Sequence, residues 1–204
     1  MPSFSLFTPA QASLVAELHE RDRREREAGH RDGLALRALA PEVAELLAQL
    51  ILQARARTVV ELGTSHGLST TYLAAAVAKT GGHVLSVDRS QEKTSLAAET
   101  LRRAGLGSRV TLLTGECTEL TSELPDDIDL VLVDVPIGAF APAFPELRRR
   151  LAPGALVFVD GGPDGHWETE EALSFRRTVD DDPELIVSLL PMRKEQLVVV
   201  RLPS

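Results

Sequence analysis

The sequence of 204 residues contains a single cysteine, Cys117. One cysteine rules out a disulfide within the chain and is typical of proteins from a reducing compartment. The sequence also lacks any apolar run long enough to cross a bilayer, and no basic segment followed by an apolar stretch opens it. We therefore expect a cytoplasmic protein without a signal peptide.

The chain also has fewer basic than acidic residues. The chain has 22 Lys and Arg against 30 Asp and Glu, a formal net charge of −8, which disfavours nucleic acid and anionic membranes as partners. A hydrophobic content of 44% indicates a globular chain, and this length suits one domain. We expect a single domain over residues 1–204, with 1–56 as an N-terminal helical cap and 57–204 as an α/β core.

The chain is organised around the stretch from Arg57 to Asp88. Thr58 to Leu62 is a short β-branched apolar run, typical of a strand that is buried on both faces. The glycine-bounded turn Gly63–Gly67 follows, and Ser69 is placed to cap an alanine-rich helix. His83 to Asp88 is a second buried strand, and it ends in an acid. This order predicts a βαβ unit of the nucleotide-binding type.

A ligand lying across the end of the first strand explains these residue types. A Cβ at Gly63 or Gly67 would obstruct its approach, and the unpaired amides at the helix start attract a carboxylate or phosphate. Asp88 can accept hydrogen bonds from both hydroxyls of a ribose. The alternative is an ordinary turn with nothing bound.

The turn lacks the middle glycine of the dinucleotide pattern G-x-G-x-x-G, because Ser65 occupies that place. It therefore leaves less room for a pyrophosphate, and Glu61 would repel phosphate but could hold an ammonium group. A ligand with an amino acid at one end and a nucleoside at the other, such as S-adenosylmethionine, fits better. We expect cofactor contacts from Glu61, Gly63, Thr64, Ser65, Gly67, Ser69 and Asp88.

The segment from Glu61 to Ser69, ELGTSHGLS, resembles the first motif of class I S-adenosylmethionine-dependent methyltransferases. Its E-x-G-x-x-x-G-x-S form is similar to the catechol and caffeoyl-CoA O-methyltransferase group. The resemblance covers roughly residue 41 to the C-terminus. It implies a Rossmann-like α/β fold, with N-terminal helices and a doubly wound, mostly parallel seven-stranded sheet that has an antiparallel C-terminal strand.

Sequence patterns place the elements of this fold. Apolar runs predict strands at 58–62, 83–88, 109–113, 129–134, 155–159, 185–190 and 196–202. Periodicity and capping residues predict helices at 9–28, 41–54, 90–104 and 168–179, and a short helix within 140–150. The loop 191–195 is too short for a helical crossover, so the last two strands should pair antiparallel.

The residues after the third strand contact the adenine in the resembled family. Glu116 is placed to accept from the adenine amino group, and the amide of Cys117 is placed to donate to a ring nitrogen. The alternative for Glu116 is a helix acid stabilised by the dipole of the first turn.

Two acids, Asp134 and Asp160, end the fourth and fifth strands and should face one crevice. In the resembled catechol-type enzymes the matching acids bind Mg²⁺ together with an asparagine, and a lysine takes the acceptor proton. Here Gly161 stands at the asparagine place and Ile137 at the lysine place. The resemblance thus leaves Mg²⁺ open as a second cofactor, with Asp134 and Asp160 as its ligands.

Loss of the lysine calls for another base. His166, on a glycine-rich loop, is our candidate because its ordinary pKa suits proton transfer, and the alternative is an exposed loop histidine. His66, inside the glycine turn, is another candidate base, and the alternative is that it only shapes the turn. Phe140, Phe144 and Trp167 either line an apolar acceptor pocket or pack in the core.

These patterns predict an S-adenosylmethionine-dependent O-methyltransferase acting on a small hydroxylated molecule, with Asp134, Asp160 and His166 as catalytic residues and Asp134 also beside the cofactor. One rival is a NAD(P)-dependent oxidoreductase, which the missing glycine and the C-terminal antiparallel pair disfavour. The other is a cofactor-binding module without turnover, which Ile137 and Gly161 keep open. Relatives in the group often pair, so the resemblance implies a homodimer.

Overall fold

The computed structural model describes residues 6–30, 32–160, 166–192 and 195–203. The helices are α1 (Pro9–Glu27), α2 (Pro41–Ala54), α3 (Leu68–Thr80), α4 (Gln91–Ala104), α5 (Cys117–Leu120), α6 (Ile137–Phe140), α7 (Phe144–Arg150) and α8 (Glu170–Asp180). The strands are β1 (Thr58–Leu62), β2 (His83–Asp88), β3 (Val110–Thr114), β4 (Ile128–Val133), β5 (Leu151–Val159), β6 (Leu185–Pro191) and β7 (Glu195–Arg201). Within the described ranges, no helix combines the length and apolar character needed to cross a membrane.

The seven strands form one sheet in the order β3-β2-β1-β4-β5-β7-β6. All neighbouring strands are parallel except β7, which runs antiparallel to both β5 and β6. The winding direction reverses at β1, which has β2 on one side and β4 on the other. A reversal of this kind opens a crevice at the carboxyl ends of the strands. The predicted doubly wound sheet with an antiparallel C-terminal strand is confirmed.

Helices cover both faces of the sheet and bury two apolar clusters. Val59 of β1 belongs to the cluster that contains α2 and α3, and Val60 belongs to the cluster on the opposite face. Successive side chains of a strand point to opposite faces, so Glu61 shares its face with Val59 and lies beneath α3. The strand period thus buries a carboxyl group under the helix that follows the glycine turn.

Local sequence explains the helix boundaries. Thr8 and Gln11 form a reciprocal capping box at the start of α1. Ser90 caps α4 by accepting from the amide of Lys93, and Gly105 ends that helix in the left-handed conformation. These boundaries agree with the predicted ones.

The predicted start of α3 was wrong. The helix begins at Leu68, with Gly67 in the left-handed conformation at the N-cap, so Ser69 is the second helical residue and does not cap. The reason is backbone conformation, since a glycine with a φ of +79° turns the chain into the helix two residues earlier than predicted.

One further prediction needs correction. Strand β5 starts at Leu151 because this residue already pairs with Ile128, ahead of an irregularity in the ladder. The short helix predicted within 140–150 is confirmed as α7, and a 3₁₀ turn at Ala141–Ala143 precedes it. Pro142 and Pro145 lack amide donors, so the ladder of an α-helix cannot run through this segment.

Phe140 and Phe144 belong to the core, not to an acceptor pocket. Both rings make edge-to-face contacts with Phe175 of α8, at centroid distances of 5.3 and 5.2 Å. Trp167 is buried as well, and its Nε1 donates to the carbonyl of Glu195 at 2.8 Å. For these residues the packing alternative holds.

Candidate active site

A row of predicted site residues lies along the carboxyl edge of the sheet. Each stands just beyond or at the end of a strand and continues the ladder of main-chain hydrogen bonds by one step. The bonds run from Gly115 N to Asp88 O (3.0 Å), Gly63 N to Val87 O (2.8 Å), Asp134 N to Leu62 O (2.8 Å) and Asp160 N to Val133 O (2.9 Å). The parallel sheet therefore gathers Gly115, Asp88, Gly63, Asp134 and Asp160 at one edge.

A shallow, open cavity lies at this edge where the winding reverses, and the space of about 210 Å³ around it includes open solvent. Its lining comes from residues 36–39, the turn residues 64–66, the start of α3 and Asp134. Within the described chain no side chain caps α3, because its N-cap residue is Gly67. The amides of the first helical turn suit an amino-acid carboxylate, and this predicted contact stays a prediction.

The structure gives the two turn glycines a reason in addition to the one we expected. Gly63 has a φ of +106°, and a Cβ there would collide with the backbone oxygen of Asp134. Gly67 has a φ of +79°, and its Cβ would lie 3.1 Å from the Cα of Ala97 in α4. Packing of the protein on itself favours glycine at both positions, and the expected approach of a ligand stays a prediction.

Asp88 organises the loops on either side of it. Its Oδ2 accepts from the amide of Ser65 at 2.8 Å, and its Oδ1 accepts from the amide of Ser90 at 2.9 Å. A carboxylate oxygen can accept more than one hydrogen bond, so Asp88 retains capacity for ribose hydroxyls. Its predicted role in cofactor binding stays a prediction.

Glu61 is completely buried, with 0% of its surface exposed. Its Oε2 accepts from the hydroxyls of Thr70 and Ser86, each at 2.5 Å, while Oε1 is buried without a hydrogen-bond partner in the described structure. Ser86 Oγ also lies 2.6 Å from the hydroxyl of Thr64, which lines the cavity. Glu61 thus sits behind the cavity wall and is linked to it through two hydroxyls, and its predicted contact with an ammonium group stays a prediction.

Burial raises the pKa of Glu61 to about 7, against the pull of the neighbouring hydroxyl donors. The negative charge of Asp88 adds to the rise. The acid is therefore poised to ionise near neutral pH, when a positive charge arrives in the cavity.

The segment 34–39, between α1 and α2, covers the glycine turn. Ser65 Oγ donates to the carbonyl of Leu36 at 2.7 Å, and His66 Nε2 lies 2.9 Å from the carbonyl of Leu34, so that nitrogen carries the proton. On its far side the segment is held by α1, where Glu25 accepts from the amide of Leu36 at 2.8 Å. His66 therefore holds the shape of the turn, and the hydroxyl of Ser65 binds segment 34–39, which covers the site.

Glu116 and Cys117 open the short helix α5 beside Asp88. The side chain of Glu116 is exposed, and Cys117 is buried with its Sγ donating to the carbonyl of Ala139 at 3.0 Å. Glu116 stands at the N-cap, a place that suits both an adenine contact and a dipole-stabilised acid. Both interpretations of Glu116, as an adenine contact and as a dipole-stabilised helix acid, therefore stay open.

The two metal candidates end neighbouring strands. Asp134 lines the cavity, and Asp160 is buried with its Oδ1 accepting from Gln196 Nε2 at 3.0 Å. In the described ranges, no three His, Cys, Asp or Glu residues form a group that could hold a metal ion. Gly161 and the side chain of His166 lie outside the described residues, so the predicted role of His166 stays a prediction.

Sequence reasoning missed several of these partners. Ser86 could have been found, because the parallel register pairs it directly with Glu61 once both strands are aligned on their ends. Gln196 is a polar residue directly before the apolar run 197–200 of its strand, which is a weaker signal. Nothing in the sequence pattern pointed to the cover formed by segment 34–39.

Comparison with known proteins decides the family. A family model described as a methyltransferase domain matches residues 60–179, which is more than half of the chain. The chain belongs to this methyltransferase domain family. The match begins inside β1 and ends in α8, so it spans the glycine turn, Asp88, Asp134 and Asp160.

Individual relatives of this methyltransferase-domain protein carry related names. A catechol O-methyltransferase from Niastella koreensis is 26% identical over 132 residues, which are 63% of this chain and 59% of that protein's length. A "Putative O-methyltransferase" from Mycolicibacterium vanbaalenii is 31% identical over 176 residues, covering 80% of this chain and 77% of that protein.

Solved structures show the same fold. An O-methyltransferase from Bacillus cereus, crystallised in complex with SAH, superposes with a TM-score of 0.77 at 19% identity. The superposition covers 93% of this chain and 90% of the Bacillus chain. This likeness confirms the Rossmann-like architecture that the first motif implied.

Proposed function

We propose that the chain is an S-adenosylmethionine-dependent O-methyltransferase that acts on a small hydroxylated molecule. The observation that carries the proposal is the cavity at the reversal of the sheet, which the uncapped start of α3 and Asp134 line together. The relatives named as O-methyltransferases, and the SAH in the Bacillus cereus structure, support the same reaction and cofactor.

Each part of the cofactor has a complementary group along the edge. The first-turn amides of α3 suit the carboxylate, and the buried acid Glu61 behind them suits a nearby ammonium group. Asp88 suits the ribose, and Glu116 with the Cys117 amide suits the adenine. The Gly115–Asp88 hydrogen bond keeps the last two groups together. S-adenosylmethionine supplies an already activated methyl group, so the chain must chiefly orient the acceptor and exclude water.

At the acceptor end, Asp134 faces the cavity and is the group best placed to orient a hydroxyl. His166 is the proposed base. We leave magnesium out of the reaction, because Asp160 accepts a hydrogen bond from Gln196 and Gly161 lacks the side-chain ligand that the resemblance implies. Magnesium is usually held by one or two carboxylates and several waters, so the number of carboxylates does not decide the point and activity in EDTA does.

The proposal is tested by calorimetry and by methyl transfer. We expect S-adenosylhomocysteine to bind and NADH not to bind. Labelled S-adenosylmethionine should transfer its methyl group to catechol or a simple phenol, equally well in Mg²⁺ and in EDTA. Binding of NADH without S-adenosylhomocysteine would support the oxidoreductase instead, and S-adenosylhomocysteine binding with no transfer to any phenol would support the binding module.

A matched pair of variants locates the reaction. Asp134→Asn should lower turnover about a hundredfold, because a misplaced acceptor loses the advantage of orientation. Asp126 precedes β4, at the end of the strand away from Asp134, and its side chain is 81% exposed, so Asp126→Asn should leave turnover unchanged. Equal turnover in both variants would remove Asp134 from the site.

We further propose that the protein works in the cytoplasm as a homodimer, with a small molecule as its other partner. The single cysteine and the acidic charge support the cytoplasmic location. The resembled group often forms dimers, which supports the homodimer. Light scattering of the purified chain measures the second point, and a monomer at assay concentrations would contradict it.

A further inference from the structure

Gln196 occupies a buried place at the acceptor end of the site. It is the second residue of β7, and it is 1% exposed. Strands β5 and β7 pair antiparallel with Val159 opposite Leu197, so the next residues along the edge, Asp160 and Gln196, also stand opposite each other. Their side chains meet, with Gln196 Nε2 donating to Asp160 Oδ1 at 3.0 Å.

The other half of this amide shows what sets its orientation. Gln196 Oε1 is buried and has no hydrogen-bond partner in the described part of the chain. A buried polar atom without a partner costs about 1–3 kcal/mol, which an apolar side chain at this position would avoid. The amide is therefore held by its donor end, and the contact with Asp160 is the one that the strand provides.

The donor to Asp160 stands where the resemblance implies a cation. A carboxylate that ligates Mg²⁺ presents its oxygens to the ion, while Asp160 presents Oδ1 to an amide N–H. The residue type that would complete the metal site is replaced by Gly161, and the implied lysine is replaced by Ile137. Two positions, 161 and 137, thus depart from the pattern of the metal-dependent group, and an amide contacts the acid that the pattern retains.

We propose that the Gln196 amide takes the place of the divalent cation in this protein and holds the Asp160 carboxylate in position. A partially positive N–H group and a cation both fix a carboxylate by attraction, and the amide does so without needing further ligands. Gln196 is then a positioning residue that acts through Asp160. This last role rests on the proposed methyltransferase function, whereas the replacement of the cation does not.

Mn²⁺ titration followed by electron paramagnetic resonance tests the replacement directly. The wild-type chain should show no specific Mn²⁺ binding, since the amide occupies the position. Gln196→Glu should create a site, because two adjacent buried carboxylates require a cation or a shared proton. Gln53→Glu, which adds the same charge at an exposed position of α2, should create none. Wild-type binding that Asp160→Asn abolishes would overturn the proposal, as would a Gln196→Glu variant that binds no Mn²⁺.

Kinetics test the positioning role. Gln196→Met keeps the volume and removes the donor, so we expect kcat for phenol methylation to fall about a hundredfold while KM and S-adenosylhomocysteine affinity change little. Melting temperature, measured alongside, separates misfolding from misplacement. An unchanged kcat in a folded Gln196→Met variant would refute the role. If the wild type methylates no phenol, the proposed function fails, and the Mn²⁺ titrations still decide the replacement of the cation.

Discussion

Glu61 and Ser86 stand directly opposite each other in the parallel register of β1 and β2, and the Ser86 hydroxyl donates to Glu61 Oε2 at 2.5 Å. A hydroxyl has one proton, so Ser86 must accept from Thr64, whose hydroxyl lies 2.6 Å away. A directed chain of hydrogen bonds therefore runs from the cavity wall to a fully buried acid. Electrostatic changes in the cavity should reach Glu61 through this short path.

The first prediction concerns stability and pH. The pKa of Glu61 is raised from 4.5 to about 7 in the folded state, so between these values the folded chain holds a proton that the unfolded chain has lost. Stability should then fall as pH rises through this window and level off above it. Relative to Glu61→Gln, we expect the wild type to lose on the order of 3 kcal/mol in free energy of unfolding. Urea unfolding across this pH range measures the difference, and parallel curves for the two proteins would contradict it.

Proton release on cofactor binding is the second prediction, and it depends on the proposed function. An ammonium group near the buried acid favours its ionised form, so S-adenosylhomocysteine should expel up to one proton below pH 7. Calorimetry in two buffers of different ionisation enthalpy measures the release. Glu61→Gln should bind without it, and equal release from both proteins would assign the proton to another group.

Asp88 offers a test that separates binding from folding. Asp88→Ala removes the acceptor of two backbone amides and the proposed ribose ligand, so we expect about tenfold weaker S-adenosylhomocysteine binding and lower stability. Asp129→Ala is the matched control, since Asp129 accepts from the amides of Arg57 and Thr58 at the opposite end of β1. The control should destabilise comparably and bind normally. Equal losses of affinity would mean that Asp88 acts only on folding.

Removal of one hydroxyl group should loosen segment 34–39, which covers the glycine turn. Ser65→Ala removes the hydroxyl that donates to Leu36, so amides of segment 34–39 should exchange with deuterium about tenfold faster. Ser95→Ala removes a similar hydroxyl bond, to Gln91 on the exposed face of α4, and should leave this segment unchanged. Unaltered exchange in Ser65→Ala would show that the remaining contacts hold the cover by themselves.

The last prediction compares two glycines with positive φ. Gly105 has a φ of +67° with no atom near the place of a Cβ, so Gly105→Ala should cost about 1 kcal/mol of backbone strain. Gly63→Ala adds a collision with the Asp134 backbone and should cost more than about 3 kcal/mol or prevent folding. Denaturant unfolding gives both values, and similar costs would mean that the ends of β1 and β4 can move apart.

How far the sequence foretold the fold differs from element to element. Strands β1 and β2 were predicted with their observed bounds, because apolar runs between strong turn signals leave no alternative register. The start of α3 was misplaced because Ser69 has good capping chemistry, while the cap is decided by the left-handed backbone of Gly67. The start of β5 was missed because Leu151 reads as part of a Pro-Gly turn until a neighbouring strand is present to pair with it.

The sequence by itself determined the βαβ unit, the strand-end acids and the family, because these depend on residue types at short spacing along the chain. Only the tertiary structure decided how those residues are used. Glu61 is buried behind the cavity, the turn glycines pack closely against other parts of the chain, and Gln196 forms a hydrogen bond with Asp160. Such pairings join residues far apart in sequence, and their geometry is set by sheet register and by packing, which no local pattern encodes.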